Sequence, residues 1–502
     1  MRWMDIVSLL TRTRARVPLY LYNTLSKSKQ RFLLLPQAKE VRMYNCGPTV
    51  YGRQHIGNLS MFVFTDILRR TLEFNGFRVK QAINFTDFGH LSSDADEGED
   101  KMTKGLKREG LALTLENMHA LGEKYAAIFL DDIAALNIKT EGTVFPRASG
   151  HISAQIAMIQ TLEEKGYAYR TSRGVYFDTS RFSAYGKLGD IDLSGLKAGA
   201  RIATDIEKRS PTDFLLWKSD DAIGWDSPWG KGFPGWHIEC SAMIRATLGQ
   251  QIDIHTGGVE HIAVHHNNEI AQSESATGKR PLSRFWMHRA HLQLEGGKMA
   301  KSEGNVVYLS DIVDRGFHPL ALRYLLLNAH YRSTSNFTWE ALGSAERAFS
   351  KLVALALSLK LSSPLPSSRS WLKKFTARIN DDLDTPGCLA VIWDMTKDKR
   401  LAQGALLSTL LAADTVLGLK LDDPDEAARK LAEADVREEI RLDELPEKIR
   451  DLVKEREEAR IKKEWARADE LRAQISSEGY ALDDAASGVR IYRGQVISRG
   501  RN

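Results

Sequence analysis

Residues 41–84 read VRMYNCGPTVYGRQHIGNLSMFVFTDILRRTLEFNGFRVKQAIN, and their hydrophobic period changes twice. A short strand at 41–44 gives way to the loop GPTVYG. Leu59, Phe62, Val63, Ile67, Leu68 and Leu72 then fall on one helical face. Asn75-Gly76 stops the helix, and FRVKQAINF returns to a strand. Strand, helix and strand in that order form a βαβ unit. Its crossover makes the strands parallel and puts a ligand site beyond their carboxyl ends.

At 502 residues the chain exceeds one hydrophobic core, so several domains are expected. The alternation breaks near His90, where DADEGEDKM reads as an acidic loop. Long helices follow through residue 138 and over 152–165, then a hairpin in YAYRTSRGVYFDT turning near Arg173-Gly174. Alternation resumes at TDFLLWK and GWHIECSAMIRATLG. Strand QIDIH, helix HHNNEIAQSESATG and hairpin HLQLEGGKMAKSEGNVVYLS come next. Beyond Pro319 the pattern is helical, with a loop at 363–370, and no internal repeat is visible. PEKIRDLVKEREEARIKKEWARADELRAQI is strongly helical, anchored by Ile449, Leu452, Val453, Leu471 and Ile475. Its charges nearly balance, so a solvated helix pair is at least as good a reading as an RNA grip.

With 43% apolar and 27% charged residues and no apolar run of membrane length, a soluble globular protein is expected. A net charge of +5 permits nucleic-acid contact without requiring it. Three dispersed cysteines do not make a disulfide framework and suit a reducing compartment. The first eighteen residues have no signal-peptide layout, Asp5 argues against a presequence, and disorder is expected there.

Cys46 follows the first strand, and Cys240 lies early in the helix of WHIECSAM. His265 and Glu269 stand i and i+4 on a helix, one turn apart on one face. Two thiolates, an imidazole and a carboxylate suit tetrahedral Zn²⁺, and a weakly held carboxylate lets the ion accept a further ligand. Each residue singly has a plainer explanation, because buried cysteines usually fill cores and HxxxE usually forms a surface pair. Spacing alone therefore does not decide for a metal. His266 is expected to point away from this face, and Cys388 to sit in a core.

HIGN at a helix start turns backbone N–H groups and the positive dipole end towards an anion, with His55 in reach of phosphate. GGKMAKS is a glycine hairpin tip carrying Lys298 and Lys301, able to close over a nucleotide. Either motif alone is weak; the ordered pair is specific. HIGN followed by KMAKS on a split parallel sheet resembles the class I aminoacyl-tRNA synthetase signature. MYNCGPTVYGRQHIGN, NFTDFGHLSSDADEGEDKM, PGWHIECSAM and HHNNEIAQ are together similar to the cysteinyl-tRNA synthetase family, from about residue 21 to the end.

That resemblance implies an α/β fold: a Rossmann-type catalytic domain split by an insertion, then an α-helical bundle and a small C-terminal domain. The divisions expected are an extension over 1–18, catalytic halves at 19–90 and 210–335, and a connective insertion at 91–209. A bundle at 336–435 and an anticodon-binding region at 436–502 complete them. It implies one Zn²⁺ on Cys46, Cys240, His265 and Glu269, which prefers the thiol of L-cysteine to the hydroxyl of serine. No editing domain is then needed. Gly47, Thr49, Thr86, Trp236 and Glu260 are the implied cysteine pocket, with Glu260 where the family often has aspartate. Thr49, His55, Gly57, Asn58, Lys298, Lys301 and Ser302 are the implied ATP site, and His55, Asn58, Lys298 and Lys301 the catalytic groups. Mg²⁺ accompanies ATP.

Asn58 stands in place of the signature's second histidine and Ala300 in place of its serine; neither change is expected to abolish activity. The implied partners are cysteine tRNA, ATP and L-cysteine, for a monomer in the cytoplasm without membrane contact. A cysteine ligase of mycothiol biosynthesis, which lacks the helical tail, is the alternative. A non-catalytic RNA-binding relative is disfavoured by the intact His55 and loop lysines. Lys462 and Lys463 are candidates for RNA phosphate contact.

Overall fold

The computed structural model describes residues 17–36, 38–88, 101–191, 207–294, 297–298, 306–363, 365–434, 439–462, 464–485 and 488–493. The extension up to residue 16, most of the acidic loop, and Ala300, Lys301, Ser302 and Lys463 lie outside the described residues.

A hairpin of β1 (Tyr20–Asn23) and β2 (Ser28–Arg31) precedes β3 (Val41–Asn45), α1 (Ile56–Phe74) and β4 (Val79–Ile83). Helices α2 (Lys101–Arg108), α3 (Leu115–Ala135) and α4 (Ile152–Glu164) lead into β5 (Ala168–Thr171) and β6 (Gly174–Phe177). β7 (Phe214–Ser219), β8 (Gly232–Pro234), α5 (Trp236–Thr247) and β9 (Ile252–Gly258) follow. Next come α6 (His265–Thr277), β10 (Ser283–Arg289), β11 (Leu292–Leu294) and β12 (Gly297–Lys298).

β10, β9, β3 and β4 form, in that order, a fully parallel sheet. β3 continues to β4 on one side and β9 to β10 on the other, so the order reverses between β3 and β9. A parallel α/β sheet binds its ligand at that point, beyond the carboxyl ends. A chain of buried amides crosses the sheet there. Asn45 donates to Thr256 Oγ1 at 2.6 Å, Gln81 donates to Asn45 Oδ1 at 2.7 Å, and Arg69 donates to Gln81 Oε1 at 3.1 Å.

All six apolar positions assigned to the inner face of α1 are buried. Asn75 caps its end and Gly76 takes φ +89°, a turn that a side chain would strain. One expectation needs correction. The strand of TDFLLWK does not resume the parallel sheet: β7 pairs antiparallel with β6 and β8. Its side chains are buried against the hairpin of the insertion, and an apolar run alone does not reveal which sheet covers it. The strand that does complete the parallel sheet is SRFWMHR, β10, whose run Phe285, Trp286 and Met287 is short and flanked by charges. The hairpin around the lysine motif is present, with Gln293 opposite Lys298.

After β12 come α7 (Pro319–Leu327), β13 (Ser335–Phe337), α8 (Trp339–Leu359), α9 (Arg369–Ile379), α10 (Thr385–Thr396) and α11 (Gln403–Leu417). Arg323 of α7 is fully buried, donating to Asp66 of α1 and to the carbonyls of Leu417 and Leu136. Asp66 also accepts from Arg70 at 2.7 Å and from the Lys139 N–H at 2.8 Å. This charged knot ties the middle of α1 to α3, α7 and α11. Cys388 is buried.

A second compact unit comprises residues 310–318 and 425–502. In it α12 (Glu447–Ile461) and α13 (Trp465–Ser477) form the helix pair. Ile449, Val453 and Ile475 pack with Leu445, Leu482 and Ile491 in one small core. No helix among the described residues is long and apolar enough to cross a membrane.

Candidate active site

Cys46 is the first residue after β3, Cys240 sits on the second turn of α5, and His265 and Glu269 face inward from α6. All four are buried, and their donor atoms lie within 4.8 Å of one another. The switch point thus gathers side chains from both halves of the split sheet. Gly47 makes the approach possible. A Cβ there would lie 1.6 Å from the Asn84 carbonyl oxygen, and the Gly47 N–H donates to Asn84 Oδ1 at 2.8 Å.

The charges of the cluster are strongly interlocked. Glu269 receives His255 Nε2 at 2.9 Å on one oxygen and His265 Nε2 at 3.0 Å on the other. Burial alone would raise its pKa, but His255 and His265 outweigh burial and hold it at about 2. His265 rises to about 10 against burial, through Glu269 and then Cys240. Cys240 falls to about 6, led by its hydrogen bond with Cys46 and helped by His265, against burial and Glu269. Burial and then Cys240 push Cys46 up, so the two sulfurs share a proton between a thiolate and a thiol. A buried set with two sulfurs, an imidazole and a carboxylate is compatible with a metal site of mixed soft and borderline character.

Four further histidines surround this set, of which only His266 was considered in the sequence, and there as turning away. His255, from β9, orients Glu269. His237 Nδ1 lies 2.8 Å from His265 Nδ1. His266 does not turn away: its Nε2 lies 3.3 Å from Cys46 Sγ, and its Nδ1 2.8 Å from His288 Nε2. Helix α6 is buried on all sides, so the ring one residue after His265 also meets protein. Cys46, His255, His266 and Glu269 form a second close donor group, sharing Cys46 and Glu269 with the first. The available signal was His255 in the strand QIDIH, since a buried strand histidine needs a polar partner, though the sequence does not say which.

Trp236 opens α5 and lays its ring 4.3 Å, centroid to centroid, from that of His265. Thr49 and Thr86 meet in a parallel bridge, and the Thr86 hydroxyl donates to Glu239 Oε2 at 2.8 Å. Glu260 is exposed, 3.7 Å from His291 Nδ1.

The start of α1 lies at the same carboxyl edge. His55 is the N-cap of α1, its Nδ1 accepting the Asn58 N–H at 3.2 Å. With Nδ1 an acceptor, the proton of the neutral ring sits on Nε2, which becomes a donor. Gly57 follows on the first turn and Asn58 is exposed. After the lysine loop the chain returns to this helix start, where Ile56 N–H donates to the Val307 carbonyl and His55 pairs with Tyr308. Lys298 lies on β12.

Residues 34–347 match the model of the class I (C) tRNA synthetase catalytic domain, and 442–489 that of the cysteinyl-tRNA ligase anticodon binding domain. The cysteine--tRNA ligase 1 of Burkholderia lata is 46% identical, over 95% of this chain and 97% of that relative. The cysteine--tRNA ligase of Treponema denticola is 41% identical, over 93% and 98%. The fold is shared with Mycobacterium tuberculosis methionyl-tRNA synthetase bound by methionyl-adenylate: TM-score 0.54 at 15% identity, over 78% of this chain and 94% of that one. A catalytic-domain match over most of the chain, an anticodon-domain match beyond it and near-full-length relatives agree: the chain belongs to the cysteine--tRNA ligase family of class I aminoacyl-tRNA synthetases.

Proposed function

We propose that the chain activates L-cysteine with ATP to cysteinyl-adenylate and transfers it to the 3′ end of cysteine tRNA. The cysteine carboxylate attacks the α-phosphate and releases pyrophosphate; the terminal adenosine hydroxyl of the tRNA then attacks the acyl carbonyl. The observation that carries this reading is the convergence of Cys46, Cys240, His265 and Glu269 next to the loop that leads into HIGN. We assign these four as holders of one Zn²⁺, whose chemistry when bound is a soft affinity for a thiol over a hydroxyl. The donor set fits such an ion by residue type and proximity: two sulfurs, an imidazole and a carboxylate whose donor atoms lie within 4.8 Å of one another.

Around it the chain's own groups position the substrates. Trp236 walls the side-chain pocket, while Gly47, Thr49, Thr86 and Glu260 hold the amino and carboxylate groups. At the α-phosphate, His55 Nε2–H and the Asn58 side chain donate hydrogen bonds. Lys298 and Lys301, with Ser302 beside them, neutralise charge as the pentavalent phosphate forms, and Mg²⁺ travels with the ATP. Little covalent work is asked of the protein, so alignment and preorganised charge supply the rate.

The connective insertion runs from 91 through β8, beyond the 209 expected, because β7 and β8 complete the sheet of its hairpin, while 336–435 serve as the bundle and 436–502 as the anticodon-binding region. The anticodon-domain match favours tRNA over an amino-sugar acceptor. The working form is a cytoplasmic monomer. The test is cysteine-dependent pyrophosphate exchange with metal analysis of the purified protein. Exchange with cysteine but not serine, and one zinc per chain, is expected; no exchange with cysteine, ATP and Mg²⁺ overturns the reading.

A further inference from the structure

Arg289 ends β10 at the carboxyl edge of the parallel sheet. Successive strand residues face opposite sides, so His288 turns to the histidine shell while Arg289 turns to α1. Its Nε donates to Ser60 Oγ at 2.8 Å, and Ser60 in turn donates to the Gly57 carbonyl at 2.7 Å. The guanidinium is therefore tethered beside the first turn of the helix that HIGN opens.

The side chain is 5% exposed, yet its buried Nη2 has no hydrogen-bond partner, and no carboxylate among the described residues pairs with it. Contrast Arg323, also buried, which meets Asp66 and two carbonyls. Burial lowers the Arg289 pKa to about 10, still charged at neutral pH, so among the described residues this cation has no counter-ion. An unpaired buried charge is costly and persists where a ligand completes it.

We propose that Arg289 is a nucleotide-binding residue, its guanidinium taking the phosphate chain of ATP at the first turn of α1. This rests on the ATP-dependent reading above, which gives no role to Arg289. Guanidinium suits the task because its fork donates two parallel hydrogen bonds to phosphate oxygens. Ser60 holds the fork's third donor and thereby aims the other two.

The full chain with Arg289→Met tests this. MgATP affinity should weaken at least about tenfold, with adenosine affinity within about twofold of wild type. The unliganded variant should melt no lower than wild type, because the buried charge it removes was unpaired. Arg289→Lys should recover part of the MgATP affinity, and Ser60→Ala should weaken it about threefold through loss of aim. Undiminished MgATP binding by Arg289→Met overturns the proposal. So does an equal loss for adenosine, which would put the contact on base or ribose, or a lower melting temperature, which would make the role structural. If Arg289→Met does not fold, unchanged MgATP affinity in Ser60→Ala overturns it instead. Wild-type protein that binds no MgATP would end the functional reading itself, a distinct result.

Discussion

The two ends of the site are built on opposite plans. At the thiol end every donor is buried and already bonded: Glu269 to two histidines, His265 to His237, Cys46 to His266. At the nucleotide end Asn58 is exposed and the helix start is capped by the His55 side chain. A pocket that separates a thiol from a hydroxyl gains from fixed donors, because poorly placed ones bind both alike. A site whose ligand changes from triphosphate to acyl phosphate gains from the backbone donors of a helix start.

The largest effect should come from breaking the rigid end. Cys240→Ala should abolish zinc content and reduce cysteine-dependent pyrophosphate exchange by about 10³-fold or more, leaving MgATP affinity within about twofold. Chelator-stripped wild type should behave alike. Equal loss of ATP and cysteine binding would show that the two ends are not independent.

The next effect concerns what steadies the nucleotide end. Burial alone would raise the Asp66 carboxyl, but Arg323 and Arg70 pull it below its ordinary range. A depressed carboxylate contributes stability above about pH 4, where the unfolded chain titrates, and loses it as pH falls further through the folded value. Asp66→Asn should therefore cost about 3 kcal/mol at pH 7 in denaturant unfolding and flatten the acid limb. If α1 carries the nucleotide end, the KM for ATP should rise more than that for cysteine.

His55→Ala should follow, lowering kcat for exchange about 10²-fold, the usual cost of one preorganised donor, with metal content unchanged. A loss confined to KM would mean that His55 binds ground-state ATP and not the developing charge.

The same contrast explains what could be read from sequence. The inner face of α1 and the His265–Glu269 pair were legible because helical periodicity alone puts those residues together. His255, His237 and His288 were not, because each reaches the cluster from a different element, and only tertiary packing sets those approaches. TDFLLWK and SRFWMHR show the same limit: an apolar run marks a strand but not the sheet it joins. Arg289 carried no sequence signal, since its oddity is the absence of a partner.

The smallest and sharpest comparison uses one methyl group at each end. At Gly47 an added Cβ would sit 1.6 Å from the Asn84 carbonyl oxygen, in a strand-end loop with no room to give. At Gly297 the nearest atom would be 3.5 Å away, an ordinary contact. Gly47→Ala should therefore displace Cys46, lowering zinc occupancy and costing about 1–3 kcal/mol of stability. Gly297→Ala should stay within about 0.5 kcal/mol, as surface changes do, and alter only the KM for ATP. Thermal unfolding with metal analysis of the pair reads out both. Equal tolerance at the two positions would mean that the thiol end can yield, and its discrimination would then have to come from the bound ion alone.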